Sequence, residues 1–288
     1  MSVEQADTQD YREFKTRVLR RTGIDLGQYK QLQMHRRLWN LVEKSRAPSF
    51  MAYYELLESD GRELSAFLDR ITINVSEFFR NPEKWEHLRN RVLPTLLSNP
   101  DSLRFWCAGC SYGAEPYSLA MLLAQDAPDR EYVLVASDID KRMLTKANQG
   151  LYPVQDLRNL EPELLSRFFT GVEDDVRRAP NEIPQPHSVY RVSSEIRERI
   201  TFQEHNLLAD EFEGNLNLIC CRNVVIYFTE AAKVRLFQNF YDALAPGGVL
   251  FLGATERIFQ YREIGFQWLE SGFYRRPRLG KELPRKRV

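Results

Sequence analysis

Two stretches of this chain put polar side chains where the carboxyl edge of a parallel sheet would hold a nucleoside. The first, Ala108-Gly109-Cys110-Ser111-Tyr112-Gly113-Ala114-Glu115, follows the apolar run Leu103-Arg104-Phe105-Trp106-Cys107. Its small residues let backbone approach a ligand closely, but it is not G-x-G-x-x-G, so the dinucleotide fingerprint is absent. The second, Ser137-Asp138-Ile139-Asp140, ends the apolar run Tyr132-Val133-Leu134-Val135-Ala136. An acid there suits ribose hydroxyls because a carboxylate accepts two hydrogen bonds, whereas an aspartate opening a helix caps it. One aspartate is expected to cap and the other to be free; Asp138, nearer the strand end, is the one expected to meet ribose. Cys107 and Cys110 match C-x-x-C, yet Cys220 and Cys221 are adjacent, and His35, His87, His187 and His205 are scattered. Zinc or redox chemistry needs ligand spacing that this pattern lacks, so no metal is expected and the cysteines read as small buried hydrophobes.

The elements that must position these residues fall into two patterns. Residues 8–98 read as helices: Phe14, Val18 and Leu19 recur at helical spacing, as do Leu38, Leu41 and Val42. Ser49 is expected to cap a helix carrying Met51, Tyr54 and Leu57. Asn81-Pro82-Glu83 is a start signal for a helix running to Leu97, with Asn81 as its cap. From Leu103 onward, strands alternate with helices, which implies a mainly parallel, doubly wound sheet with its ligand at the carboxyl ends of the strands. Residues 153–199 break the alternation and read as an inserted, small antiparallel sub-domain. The expected fold is α/β: an all-helical N-terminal domain over residues 1–98, then a Rossmann-like domain over 99–274 carrying that insertion. A basic, disordered tail is expected over 275–288.

The chain has 288 residues, 43% of them hydrophobic, and its 40 Lys+Arg balance 40 Asp+Glu. That is a soluble, globular composition at a length that favours two domains. Zero net charge disfavours a protein whose whole surface binds nucleic acid. The polar start is no signal peptide, and no stretch approaches the roughly 18 apolar residues of a membrane span, so a cytoplasmic protein without membrane insertion is expected. The balance is a sum of segregated parts. Residues 11–46 hold ten basic and three acidic residues, 275–288 hold seven and one, and the remainder is net −13.

Leu244-Ala245-Pro246-Gly247-Gly248-Val249 feeds an apolar strand ending at Gly253, and is similar to the turn before the fifth strand of class I S-adenosylmethionine (SAM) methyltransferases. A ribose acid without a pyrophosphate loop also favours SAM over NAD. Other motifs are more specific. Ile73-Asn74-Val75-Ser76-Glu77-Phe78-Phe79-Arg80, the stretch from Ala108 to Ser118, and Ser137-Asp138-Ile139 resemble the CheR family, the chemoreceptor glutamate O-methyltransferases of bacterial chemotaxis. So do Asn206-Leu207-Leu208 and Cys221-Arg222-Asn223-Val224-Val225-Ile226-Tyr227-Phe228, and the likeness runs in order from about residue 10 to 274.

The resemblance implies a small helical domain over a SAM-binding α/β domain with a three-stranded sub-domain inserted. It implies SAM contacts from Asn74, Ser76, Arg80, Glu115 and Asp138, with Asp138 on the ribose. Asn206 and Leu207 would lie by the adenine, and Cys221 and Arg222, with Asn223 beside them, by the adenosine and methionine. Arg80, Arg222 and Tyr227 would line the methyl-transfer pocket. Tyr227 also lies just past a strand end at the ligand edge, which favours a site role over a core one. Phe78 and Phe79 read as packing. The implied partner is the cytoplasmic helical region of chemoreceptors. An acidic helix of that kind would dock on the basic helical face that includes Arg36 and Arg37, and the enzyme would act as a monomer. Two other readings stand beside this one: a SAM-binding scaffold without activity, and a SAM methyltransferase of another substrate class.

Overall fold

The computed structural model describes residues 8–72, 76–172 and 189–278. Its contacts divide the chain into two units, Met1–Asn74 with Val224–Leu236, and Val75–Asn223 with Phe237–Val288.

In the first unit the helices Gln9–Thr22, Gln31–Lys44, Phe50–Ser59 and Gly61–Thr72 enclose an aromatic core. Their ends are set locally. The Thr8 hydroxyl accepts the Tyr11 N–H at 3.2 Å to start the first helix, and Gly23, at φ +72°, ends it. Ser49 caps the third helix as its sequence predicts, accepting the Ala52 N–H at 3.2 Å. Asp10 reaches from the first helix to the same end and accepts the Phe50 and Met51 N–H groups at 2.8 and 3.2 Å. Phe14 packs against Phe50 and Phe67 with ring centroids 5.2 and 5.8 Å apart, each contact contributing about 0.5–1.5 kcal/mol beyond area burial. The segment after Asn223 joins this unit because its backbone pairs with residues 28–30. The Thr229 N–H donates to the Gln28 carbonyl at 2.8 Å, and the Lys30 N–H to the Tyr227 carbonyl at 2.9 Å.

The second unit contains the strands β1 (Leu103–Ala108), β2 (Tyr132–Asp138), β3 (Leu151–Pro153), β4 (Phe169–Val172), β5 (Val189–Val192), β6 (Ile200–Glu204), β7 (Leu216–Cys221), β8 (Leu244–Leu252), β9 (Gln267–Glu270) and β10 (Phe273–Arg275). Seven form one sheet in the order β6-β2-β1-β7-β8-β10-β9, and β3-β5-β4 form a second. The first five of the large sheet are parallel, and β10 and β9 are antiparallel additions at its edge. The small sheet is antiparallel, as the broken alternation implies, although it begins at Leu151. The chain leaves β1 toward β2 and β6, then returns to β7 on the other side of β1. Strand order therefore reverses between β1 and β7, and the loops after those two strands flank the switch point.

Three departures from the sequence pattern have local causes. The helix expected over 82–97 is interrupted by a π-helical turn, Leu88–Val92, between Pro82–His87 and Leu93–Leu97. Pro94 is the reason: it lacks an N–H and its ring crowds the carbonyl four residues back, so the coil widens and the Leu93 N–H bonds to the Leu88 carbonyl. Pro246-Gly247-Gly248 is not a free turn but lies inside β8, at an irregularity in its pairing with β7. A Cβ on Gly248 would stand 2.7 Å from the Leu216 carbonyl oxygen, so the two backbones can meet there only at glycine. Arg275 and Arg276, basic residues of the expected tail, are ordered parts of the fold. Arg275 closes β10, and the Arg276 guanidinium donates to the Tyr241, Asp242 and Leu244 carbonyls at 3.1, 3.0 and 2.6 Å, capping the helix Glu230–Ala243. Residues 279–288 of that tail lie outside the described residues, as do residues 173–188 of the insertion. No described helix is long and apolar enough to cross a membrane.

Candidate active site

The loop after β1 is held against the end of β2. The Gly109 and Cys110 N–H groups both donate to the Ser137 carbonyl, at 2.8 and 2.9 Å. Ser111, left-handed at φ +50°, donates its N–H to Asp138 Oδ2 at 2.7 Å. The other carboxylate oxygen, Oδ1, accepts the Asp140 N–H at 2.9 Å. Asp140 is the cap, accepting the Arg142 and Met143 N–H groups at 3.0 and 3.4 Å. Asp138 is therefore not free in the simple sense its position predicts. It is buried, and burial raises its pKa against the opposing pull of those backbone N–H groups. A carboxylate has about four acceptor positions, more than these backbone donors fill, so capacity remains for a ribose hydroxyl. The Asp138 carbonyl also accepts the His205 N–H at 3.0 Å, which brings Asn206 and the buried Leu207 to the same strand end.

The second part of the site is the turn at residues 76–81, which is not helical. Two bulky or polar residues in it have left-handed backbones, Phe79 at φ +47° and Asn81 at φ +60°. Such strain persists only where the surroundings impose it. They do so from four sides. The Tyr112 hydroxyl donates to the Ser76 carbonyl, and the Phe79 N–H donates to Ser118 Oγ at 3.0 Å. Phe78 is fully buried against Tyr152 and Phe169, the packing role its sequence predicts. The Arg80 carbonyl accepts the Trp85 indole N–H at 3.1 Å and Arg222 Nη2 at 2.5 Å.

Asn81 does not cap with its side chain. Its left-handed backbone turns the side chain away from the helix, and Oδ1 instead accepts Arg222 Nη2 at 3.3 Å. Arg222 is thus the hub of this half. Its guanidinium lies 5.4 Å from the Trp85 ring and 4.6 Å from the Phe251 ring, and Nη1 is 3.5 Å from Glu115 Oε2. The aromatic box and the acid hold a buried cation with little freedom to move.

Glu115, in the first turn of the helix Ala114–Asp126, carries the main electrostatic feature. Burial pushes its pKa up to about 7, Arg222 and Arg80 pull it down, and Glu256 adds to the rise. A buried carboxylate balanced near neutrality is suited to a cationic ligand, which would return it to the ionised form. SAM carries two cationic groups, the sulfonium and the amino group of its methionine moiety, so the donor set fits. Glu115 would hold the methionine end and Asp138 the ribose.

Other expected site residues are placed as follows. Asn74 lies outside the described residues. Ser76 is in the turn, with its carbonyl held by Tyr112. Cys221 ends β7 fully buried, and burial raises its thiol pKa. Asn223 is left-handed at φ +60° and half-buried, and its N–H donates to Glu256 Oε2 at 2.8 Å. Tyr227 belongs to the first unit, where the Arg37 guanidinium lies 5.5 Å from its ring centroid. Arg37 also donates to the Arg70 carbonyl at 3.5 Å, whereas Arg36 is exposed. The two arginines of the expected basic face are therefore not equivalent. The four cysteines are all buried. Cys107, Cys220 and Glu115 bring ligand atoms within 4.8 Å of one another, but Glu115 is engaged by Arg222 and burial favours the protonated Cys107 thiol. Sequence reasoning missed Trp85, Phe251 and Glu256. Glu256 had a usable signal, since an acid just past β8 at the ligand edge invites the same reading as Asp138 past β2.

Comparison with known proteins shows the family. Residues 9–72 match the CheR methyltransferase all-alpha domain, and residues 74–272 match the CheR methyltransferase SAM-binding domain. The chain is 37% identical over 267 residues to the chemotaxis protein methyltransferase of Listeria innocua, covering 92% of this chain and 96% of that one. It is 33% identical over 263 residues to the chemotaxis protein methyltransferase of Escherichia coli K12, covering 86% and 84%. A Vibrio cholerae relative, chemotaxis protein methyltransferase 2, is 30% identical over 284 residues with 94% of each chain covered. With both halves matched in order, and with a buried acid suited to a sulfonium cofactor beside a strained arginine turn, the chain belongs to the CheR methyltransferase family and is a SAM-dependent protein-glutamate O-methyltransferase.

Proposed function

We propose that the acceptors are glutamates on acidic cytoplasmic helices of chemoreceptors, that Arg80 and Tyr227 orient the reacting carboxylate, and that the protein works in the cytoplasm. The observation that carries the site reading is the turn around Arg80, strained on both sides and fastened by its carbonyl. SAM, when bound, supplies an electrophilic methyl group on its sulfonium. A receptor glutamate has an ordinary pKa of about 4.3 and is already ionised at neutral pH, so the chain needs no general base. Its work is alignment and exclusion of water. Arg80 holds one face of the carboxylate through a planar fork, leaving an oxygen free to attack. Tyr227, whose role rests on the family motif that contains it, contributes a hydroxyl contact that does not quench nucleophilicity as an ion pair would. Arg222 stays on Glu115 and the Arg80 carbonyl and supports the pocket rather than binding the acceptor.

Glu115 makes cofactor binding depend on pH. In the free protein it holds a proton below about pH 7, and a cation placed against it requires the ionised form. SAM affinity is expected to be level above that pH and to weaken below it, approaching tenfold per unit as binding must release the proton. Titration calorimetry across the range checks this, with Glu115→Gln expected to flatten the dependence. A wild-type affinity that does not change with pH would remove Glu115 from the cofactor site.

The assay for the reaction is transfer of labelled methyl from SAM to a chemoreceptor cytoplasmic fragment, followed by base-labile release, which marks an ester rather than an amine. Docking through the basic helical face supplies a graded test in the same assay. Arg36→Glu is expected to raise KM for the fragment by about tenfold, the scale of one well-placed charge pair, while leaving kcat and SAM affinity unchanged. Arg37→Glu should in addition lower kcat, because Arg37 lies over Tyr227. Equal loss of acceptor and SAM binding in Arg36→Glu would count against docking there.

A further inference from the structure

Glu256 is 2% exposed, and no step of methyl transfer uses it. Its own N–H donates to the Gly253 carbonyl at 3.0 Å, closing a turn just past β8. The side chain folds back into that turn. Oε2 accepts the Gly253 N–H at 2.7 Å and the Asn223 N–H at 2.8 Å. The ladder between β7 and β8 ends with Cys221 opposite Leu252. Just past that pair, one carboxylate oxygen takes a backbone donor from each side, Gly253 next after Leu252 and Asn223 two residues after Cys221. Gly253 makes room for it, since a Cβ there would stand 2.6 Å from Glu256 Oε2 and 3.0 Å from the Asn223 nitrogen.

We propose that Glu256 is a positioning residue for the cofactor site, fastening the Arg222–Asn223 turn to the end of β8 so that Arg222 is aimed at the Arg80 carbonyl, Asn81 and Glu115. The inference rests on the reading of Arg222 and Asn223 as part of the SAM site. Asn223 has a left-handed backbone that its neighbours must impose, and the bond from its N–H to Glu256 is the tie next to that torsion. Arg222, one residue earlier, meets the Arg80 turn across 142 positions of sequence. A small rotation at Asn223 would carry that guanidinium off its acceptors. The placement is also electrostatically unfavourable, because Glu256 acts on the buried Glu115 with like charge. A local cost of this kind is retained where a site needs it.

The test separates reach from charge. Glu256→Gln keeps an oxygen at the same distance and removes the charge; Glu256→Asp keeps the charge and withdraws the oxygen by one carbon. SAM affinity by calorimetry and kcat with a receptor fragment are expected to fall about threefold in the Gln variant and about thirtyfold in the Asp variant, the range set by weakening against losing two charge-assisted bonds. Receptor KM should move in neither. Asp equal to or better than Gln, or both equal to wild type, overturns the positioning role. Arg222→Gln run alongside, at a pH and temperature where urea unfolding shows it still folded, distinguishes the two levels. If it leaves SAM affinity unchanged, the site reading itself fails. If it weakens SAM while Glu256→Asp does not, only the inference about Glu256 fails.

Discussion

Arg80→Ala is expected to fold as the wild type does and to lose turnover by about a hundredfold, the scale of a misaligned reactant. The reason it should fold lies in which atom is held. Trp85 and Arg222 grip the Arg80 carbonyl, and Phe79 and Asn81 carry the strained torsions, so these backbone ties remain when the side chain is cut back. What goes is the fork that orients the acceptor carboxylate. Arg80→Lys should recover little, because an ammonium is a point charge without the planar pair of donors. Steady-state kinetics with a receptor fragment, beside a thermal melt of each variant, checks both halves. Normal turnover in Arg80→Ala would sink its role.

Arg222→Gln should behave in the opposite way, failing in structure and chemistry together. Removing one partner of a buried ion pair usually costs about 3–5 kcal/mol. The lower end is expected here because Glu115, already near pH 7, can take up a proton. The sign of the pH dependence follows. Arg222 pulls the Glu115 pKa down, so its loss raises that pKa further. A group whose pKa is raised on folding adds stability at low pH and loses it as pH rises through the folded value. The deficit relative to wild type should therefore be small near pH 5.5, where Glu115 is protonated in both, and largest near pH 8. Urea unfolding of the full chain at the two pH values measures it. A deficit independent of pH would mean that the aromatic box, not the pair with Glu115, is what Arg222 contributes.

The two variants differ because sequence motifs name residues without saying which atom of each is used. The motif ending in Arg80 and the one containing Arg222 were both legible, and both were expected at the pocket. That Arg222 holds the backbone carbonyl of Arg80 depends on the order of strands around β1. Asn81 illustrates the same limit from the other side. Asn-Pro-Glu is a sound local signal for a capped helix, and the helix does begin at Pro82. The cap bond nevertheless fails, because Arg222 offers the Asn81 amide oxygen a charged donor.

By itself the sequence determined what short-range physics controls. The Ser49 and Asp140 caps, the helical period of residues 8–72, the alternation of strands and helices, and an acid at the end of β2 all depend on neighbours within a few positions. Family motifs carried the chemistry, because their residue types are specific in combination. Tertiary structure alone decided the partners. Asp138 holds the glycine-containing loop, Glu115 is raised by burial and drawn back toward neutrality by Arg222, Arg37 lies on Tyr227 while Arg36 faces solvent, and Glu256 ties two strand ends together. Each joins residues from about 25 to more than 180 positions apart, where no periodicity or capping rule reaches. Burial then sets the strength of each contact, and burial is a property of the folded sheet and its helices rather than of any segment in them.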